Sequence, residues 1–241
     1  MVLAEPGSVN HVPVMTPVSG SIVAVIPAYN AEPFVGDVIR RAIAHVPVIT
    51  INDGSRDGTL AALNATGATV IDQQPNQGKG VALQRGFRAA LDQGAAAAIQ
   101  LDADGQHDPS EIPLFVAKFR ETAADLIIGE RDFAQMPLVR KVSNTFGRGA
   151  FSWAIGRKVR DNQSGYRLLS RRLMEAVLSS GERGFEFEME MIVVCVKRGW
   201  PIEGVPIRTI YGEEVSNIKP MQHVVHFLRM VRQTRRAMRA K

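Results

Sequence analysis

The sequence predicts an α/β fold built on a mostly parallel sheet, and three observations carry that expectation. Short apolar runs of strand length alternate with segments of helical period through the first 130 residues. Polar clusters stand where three of the runs end, along what would be one edge of an open sheet. Finally, 241 residues with 45% hydrophobic and 22% charged side chains suffice for a sizeable core.

Residues 1–19 are mixed and hold three prolines, so residues 1–20 are expected to be a loose lead-in. Ser21–Pro27 is a continuous apolar run, as in a strand buried on both faces. Glu32–His45 has helical spacing, and Val46–Ile51 is a second strand. Asp57–Ala65 reads as a short helix, Ala68–Asp72 as a strand and Gly80–Gly94 as a helix. Ala96–Asp102, Ser110–Thr122 and Asp125–Gly129 continue the alternation as strand, helix and strand. Pro137–Ile155 then carries an apolar helical stripe through Val139, Val142, Phe146, Ala150 and Trp153. Tyr166–Ser170 reads as extended, Arg171–Ser179 and Glu188–Lys197 as helical, and Gly204–Tyr211 as extended.

The formal net charge of +5 comes from one end. Val215–Lys241 holds seven basic residues and no acid, whereas the first 214 residues hold 22 basic and 24 acidic side chains. Residues 220–241 read as a basic amphipathic helix, suited either to an anionic membrane surface or to packing on the body with its arginines in water. The basic residues form one terminal cluster with no RNA- or DNA-reading motif, which excludes nucleic acid as the expected partner. One cysteine, Cys195, rules out a disulfide scaffold. No secretory leader or run of about 18 apolar residues is found, so a cytoplasmic chain is expected.

The chemistry is concentrated at the strand ends. Asp102 and Asp104 are one residue apart, so an extended backbone would point both carboxylates at one hard cation; two turn-capping aspartates are the alternative. Asp53 stands in a Gly- and Ser-rich turn, where it would accept from a nucleoside or close an Asx-turn. Asn76–Gly80 opens a helix, with Lys79 either near phosphate or in a plain glycine turn. Asp108-Pro109-Ser110-Glu111 has the order of a helix start, and Asp57 reads as a cap. The five histidines show no ligand or triad spacing. Without G-x-G-x-x-G after the first strand, and without a Walker loop, dinucleotide dehydrogenases and P-loop kinases are poor fits.

Taken in order, IPAYN, NDGSRDGT, NQGKG and LDADGQHDP resemble family 2 glycosyltransferases of the GT-A fold. The segments Gly129–Arg131, Asp161–Arg167, Phe187–Ile192 and Val205–Ile207 are similar to dolichol-phosphate mannosyltransferase and bacterial polyprenyl-phosphate glycosyltransferases. The resemblance spans about Ile22 to Lys219, and residues 21–219 are therefore expected to form one GT-A domain. It implies that Pro27, Tyr29, Ile51 and Asp53 hold the nucleoside, while Asp102, Ala103 and Asp104 meet the diphosphate. It further implies Asp104 and Gln106 as ligands of Mg²⁺ or Mn²⁺ with Asp102 nearby. Arg131, Arg208 and Lys219 would close on phosphates, and Gln163, Ser164, Arg167 and Glu190 would line the acceptor side. Asp102, Asp104, Arg131 and Glu190 make up the implied catalytic set.

The implied reaction is an inverting transfer from a GDP- or UDP-sugar to a polyprenyl phosphate at the membrane surface, with a separate membrane-anchoring protein as a possible partner. Transfer to a saccharide or protein hydroxyl, and nucleotide binding without turnover, are the competing readings. The sequence departs from the family where Ala31 replaces a glutamate, with Glu32 following, and where Asn52 replaces an aspartate.

Overall fold

The computed structural model describes residues 20–131, 149–179 and 186–208, together with 231, 232, 235, 236 and 238. Seven strands form one sheet in the order β3-β2-β1-β4-β6-β5-β7. These are β1 (Ile22–Ala28), β2 (Val48–Asp53), β3 (Thr69–Gln73), β4 (Ala97–Gln100), β5 (Leu126–Arg131), β6 (Arg167–Ser170) and β7 (Ile202–Ile207). β6 runs antiparallel to both of its neighbours, and every other pairing is parallel. The carboxyl ends of the six parallel strands and the start of β6 therefore share one edge, and the site is built there.

The helices lie on both faces. On one face, α1 (Glu32–Ile43), α2 (Thr59–Asn64) and α4 (Ile112–Thr122) cover a core containing Ile26, Val35, Ile39, Leu63, Ile99, Phe115 and Leu168. On the other, α3 (Lys79–Asp92), α5 (Arg171–Leu178) and α6 (Glu186–Arg198) cover Val25, Ile51, Phe87, Met174 and Phe187, joined by the helical residues 149–155. Their sequence periods explain the arrangement: α1 buries Val35, Val38, Ile39 and Ala42, a stripe at spacings of three, one and three. β1 is apolar at consecutive positions and β2 is buried at all six, because both of their faces are covered.

Several boundaries differ from the sequence expectation. β4 ends at Gln100, the last residue paired with both β1 and β6, so Leu101 and Asp102 lie beyond the ladder. α6 begins at Glu186 and the last strand at Ile202. Of the expected helix over Pro137–Ile155, residues 137–148 lie outside the described residues, as do 209–211 and most of the tail. Val231, Arg232, Arg235, Arg236 and Met238 are helical.

Candidate active site

A cleft of about 360 Å³ opens at the sheet edge and is lined by Pro27, Ala28, Tyr29, Ala31, Asp53, Asn76, Gly78, Lys79, Asp102, Ala103 and Asp104. Its walls are the loops that follow β1, β2, β3 and β4, and hydrogen bonds between them fix its shape. Asn30 donates its amide to Ser55 Oγ at 3.0 Å and accepts from the Arg56 amide at 2.9 Å. Asp53 accepts from the amides of Gln77 (2.8 Å) and Gly78 (2.9 Å), from Asn76 Nδ2 (3.1 Å) and from Gln73 Nε2. Gly54, with φ +71°, seals the same junction, since a Cβ there would lie 2.4 Å from the Asn76 amide nitrogen. Asp53 thus closes no local Asx-turn; it holds the loop after β3.

Asp102 and Asp104 both face the cleft, but not through the pleat of a strand. They sit in the turn after β4, where the Gln106 amide donates to Asp104 Oδ1 at 2.9 Å. Lys79 Nζ lies 2.6 Å from Asp102 Oδ1 and 3.0 Å from Glu188 Oε1, and Glu188 also accepts from Gln100 Nε2 at 3.0 Å. Burial opposes the ammonium, but Asp102 and then Glu188 outweigh it and hold the pKa of Lys79 above the lysine range. His107 Nδ1 accepts from the Asp102 amide at 3.1 Å, and its ring packs on Tyr166 with centroids 5.1 Å apart. Burial pushes the pKa of His107 below the usual histidine range, in keeping with a neutral ring that accepts at Nδ1.

The other expected residues divide by placement. Arg131, at the end of β5, reaches the same edge, with its guanidinium in a two-pronged pair with buried Asp161 at 2.7 and 3.0 Å. Asp161 also accepts from the amides of Gln163 and Ser164, shaping the turn into β6. Ser164 is buried, and its hydroxyl accepts from the Tyr166 amide. Glu190 is half-buried on α6.

Three assignments change. Arg167 is fully buried, and its three guanidinium nitrogens donate to the backbone carbonyls of Ser164, Glu188 and Asn162, so it braces the turn against α6 rather than gripping an acceptor. Ile51 is fully buried in the core, behind the cleft wall. Arg208 lines a separate hollow with Asp108, Glu111 and Leu114, where its amide donates to Glu111 Oε1 at 2.9 Å. Lys219 lies outside the described residues. Sequence reasoning missed His107 as part of the site, weighed Glu188 only as one of three glutamates that could serve as base for a hydroxyl acceptor, and left Lys79 undecided.

The donor set suits a hard divalent cation. Asp102, Asp104 and Gln106 offer oxygen ligands, as Mg²⁺ prefers when substrate phosphates complete its shell. Among the described residues no three His, Cys, Asp or Glu side chains cluster as a cage for a metal. Asp102 and Glu188 both pair with Lys79, and Asp104 lines the same cleft.

Residues 23–178 match the family described as Glycosyl transferase family 2. The chain belongs to that family. This glycosyltransferase is 31% identical to the UDP-N-acetylglucosamine–dolichyl-phosphate N-acetylglucosaminyltransferase of Methanococcus voltae, over 80% of this chain and 86% of the relative. It is 29% identical to the undecaprenyl-phosphate mannosyltransferase of Micrococcus luteus, over 80% and 84% of the two chains. Among solved structures, glucosyl-3-phosphoglycerate synthase from Mycobacterium tuberculosis, in complex with Mn²⁺, uridine diphosphate and phosphoglyceric acid, is similar with a TM-score of 0.70. That likeness covers 89% of this chain and 77% of the other at 20% identity, and it shows the fold. The glycosyltransferase has the GT-A architecture, with the described cleft at the carboxyl edge of its sheet.

Proposed function

We propose that this family 2 glycosyltransferase moves a sugar from a nucleoside-diphosphate sugar to a polyprenyl phosphate, with a divalent cation, at the cytoplasmic face of a membrane. The observation that carries the acceptor is the likeness, over four-fifths of the chain, to two relatives named for transfer to dolichyl and undecaprenyl phosphate. The chemistry agrees. A phosphate monoester is largely ionised near neutral pH, so one of its oxygens attacks C1 without a general base. As that bond forms, the bond from C1 to the diphosphate oxygen breaks, and the anomeric centre inverts.

The protein must align the two phosphates and balance their charge. Tyr29 and the loops pinned by Asp53 form the donor wall, and Arg131, held in orientation by Asp161, stands at the acceptor end of the same edge. When bound, the cation would be held by Asp104, Gln106 and Asp102 and would neutralise the departing diphosphate. A hydroxyl acceptor would need a carboxylate base, and Glu188 is buried and committed to Lys79 and Gln100.

The test is a single-turnover screen with Mn²⁺ or Mg²⁺. It offers GDP-mannose, UDP-glucose or UDP-N-acetylglucosamine with polyprenyl phosphate in detergent and follows sugar into the organic phase. Lipid-linked sugar from one donor is the expected result. Sugar appearing only on an added saccharide or peptide, or nucleotide binding without any transfer, would overturn the reading.

Membrane contact rests on a surface, since no helix among the described residues is long and apolar enough to cross a bilayer. Trp153 is 62% exposed, with the Arg235 guanidinium 4.7 Å from its ring centroid, and Arg235 also donates to the Trp153 carbonyl at 3.0 Å. Arg157, Lys158, Arg160, Arg232 and Arg236 are exposed. Each basic side chain near an anionic surface contributes about 1 kcal/mol. Replacing Arg157, Lys158, Arg232 and Arg236 together with Ala should therefore weaken sedimentation with phosphatidylserine-containing liposomes about a hundredfold or more. Undiminished sedimentation would remove this face from the proposal.

A further inference from the structure

Lys79 is the point where the two halves of the site meet. It is the first residue of α3, and the loop before it is anchored because Asp53 takes the amides of Gln77 and Gly78. Its ammonium lies between two carboxylates on different elements, Asp102 after β4 at 2.6 Å and Glu188 on α6 at 3.0 Å. The backbone of Gly165 closes against this pair: a Cβ there would come within 2.7 Å of Asp102 Oδ2 and 3.2 Å of Lys79 Nζ. Only glycine at 165 lets the turn before β6 approach the pair this closely.

We propose that Lys79 is a positioning residue that shares Asp102 with the divalent cation and holds that cation's affinity down, with Glu188 as its second anchor. The inference rests on the metal-dependent reading of the site. The ammonium bonds one oxygen of Asp102, whose carboxylate faces the cleft beside Asp104, so a cation ligated there meets a positive charge already in place. Like charges a few ångströms apart repel strongly where water is partly excluded. Glu188 keeps the ammonium fixed when Asp102 turns toward the cation, so Lys79 need not be expelled. A cation held too tightly would retain the nucleoside diphosphate after transfer, and the shared carboxylate counters that.

The experiment measures Mn²⁺ binding to the full chain by the electron paramagnetic resonance signal of free Mn²⁺, alone and with UDP or GDP. It compares wild type with Lys79→Met, Lys79→Gln and Lys79→Arg, and thermal melting verifies that each variant is folded. Lys79→Gln retains a hydrogen-bond donor to Asp102 and serves should Lys79→Met fail to fold. Both charge-removing variants should bind Mn²⁺ about tenfold more tightly or better. Lys79→Arg should match wild type, and product release in turnover should slow in the tight-binding variants. A merely structural lysine would give weaker Mn²⁺ binding on removal. Mn²⁺ binding by wild type that is unchanged or weaker in folded Lys79→Gln overturns the proposal and leaves the metal reading standing. No Mn²⁺ binding by any form, with or without nucleotide, overturns both.

Discussion

Asp104→Asn should lower single-turnover transfer by a factor of about 10² to 10³, or about 2.7–4 kcal/mol of transition-state stabilisation, with little change in melting temperature. The substitution is nearly isosteric, and the hydrogen bond that the Gln106 amide donates to Asp104 Oδ1 can still be accepted by the amide oxygen of Asn. What is lost is a full negative charge on the cleft wall, where it would bind the cation that offsets the leaving diphosphate. Mn²⁺ affinity should fall together with turnover. The pairing of effects is the informative part: lost turnover with unchanged Mn²⁺ affinity would place the cation elsewhere. Retained turnover would remove Asp104 from the reaction.

How much of this was legible in the sequence follows the range of the interactions. The two core strands β1 and β2 are visible because burial on both faces makes Ile22–Ala28 apolar throughout and leaves only Thr50 to interrupt the apolar run Val48–Ile51. Asp108 as a helix cap is also visible, because its bond to the Ser110 amide spans two residues. The direction of β6 was not legible, since Arg167-Leu168-Leu169-Ser170, polar at both ends and apolar between, has the same pattern in either orientation. The end of β4 was not legible either: Leu101 is as buried as the strand before it, while the ladder stops with its partners at Gln100.

In the site, residue types at strand ends pointed to the edge where the cleft lies, but the side chains' commitments are long-range. Arg131 meets Asp161 thirty residues later, and nothing local announces the pair. Arg167 looks like a phosphate-binding arginine in sequence, yet the turn before β6 and the backbone of α6 engage all three of its guanidinium nitrogens. Lys79 had a phosphate reading because it opens a helix. Its pairing with Glu188 appears only when α3 and α6 pack on the same sheet face.

Asp53→Asn should destabilise the fold by about 3–5 kcal/mol, although it changes a single atom type. The carboxylate accepts four hydrogen bonds, two at each oxygen: Gln73 Nε2 and the Gln77 amide at Oδ1, Asn76 Nδ2 and the Gly78 amide at Oδ2. An amide can accept at one end only. Whichever way Asn is turned, its NH₂ faces two donors in a buried position, so two bonds are lost and donors are left opposed. Hydrogen bonds to a charged group contribute about 1.5–3 kcal/mol each, and replacing the charge also weakens the pair that survives. For a chain of this size the melting temperature should drop by roughly 10 °C. The cleft should suffer beyond the fold, because the same bonds hold the loop that places Lys79. Below the melting transition, nucleotide affinity in the variant should therefore remain at least about tenfold weaker. A variant that melts like wild type and loses only nucleotide affinity would mean that Asp53 acts on the nucleoside rather than on the loop. A variant that loses stability and binds nucleotide normally would show that the loop after β3 is not part of the donor wall.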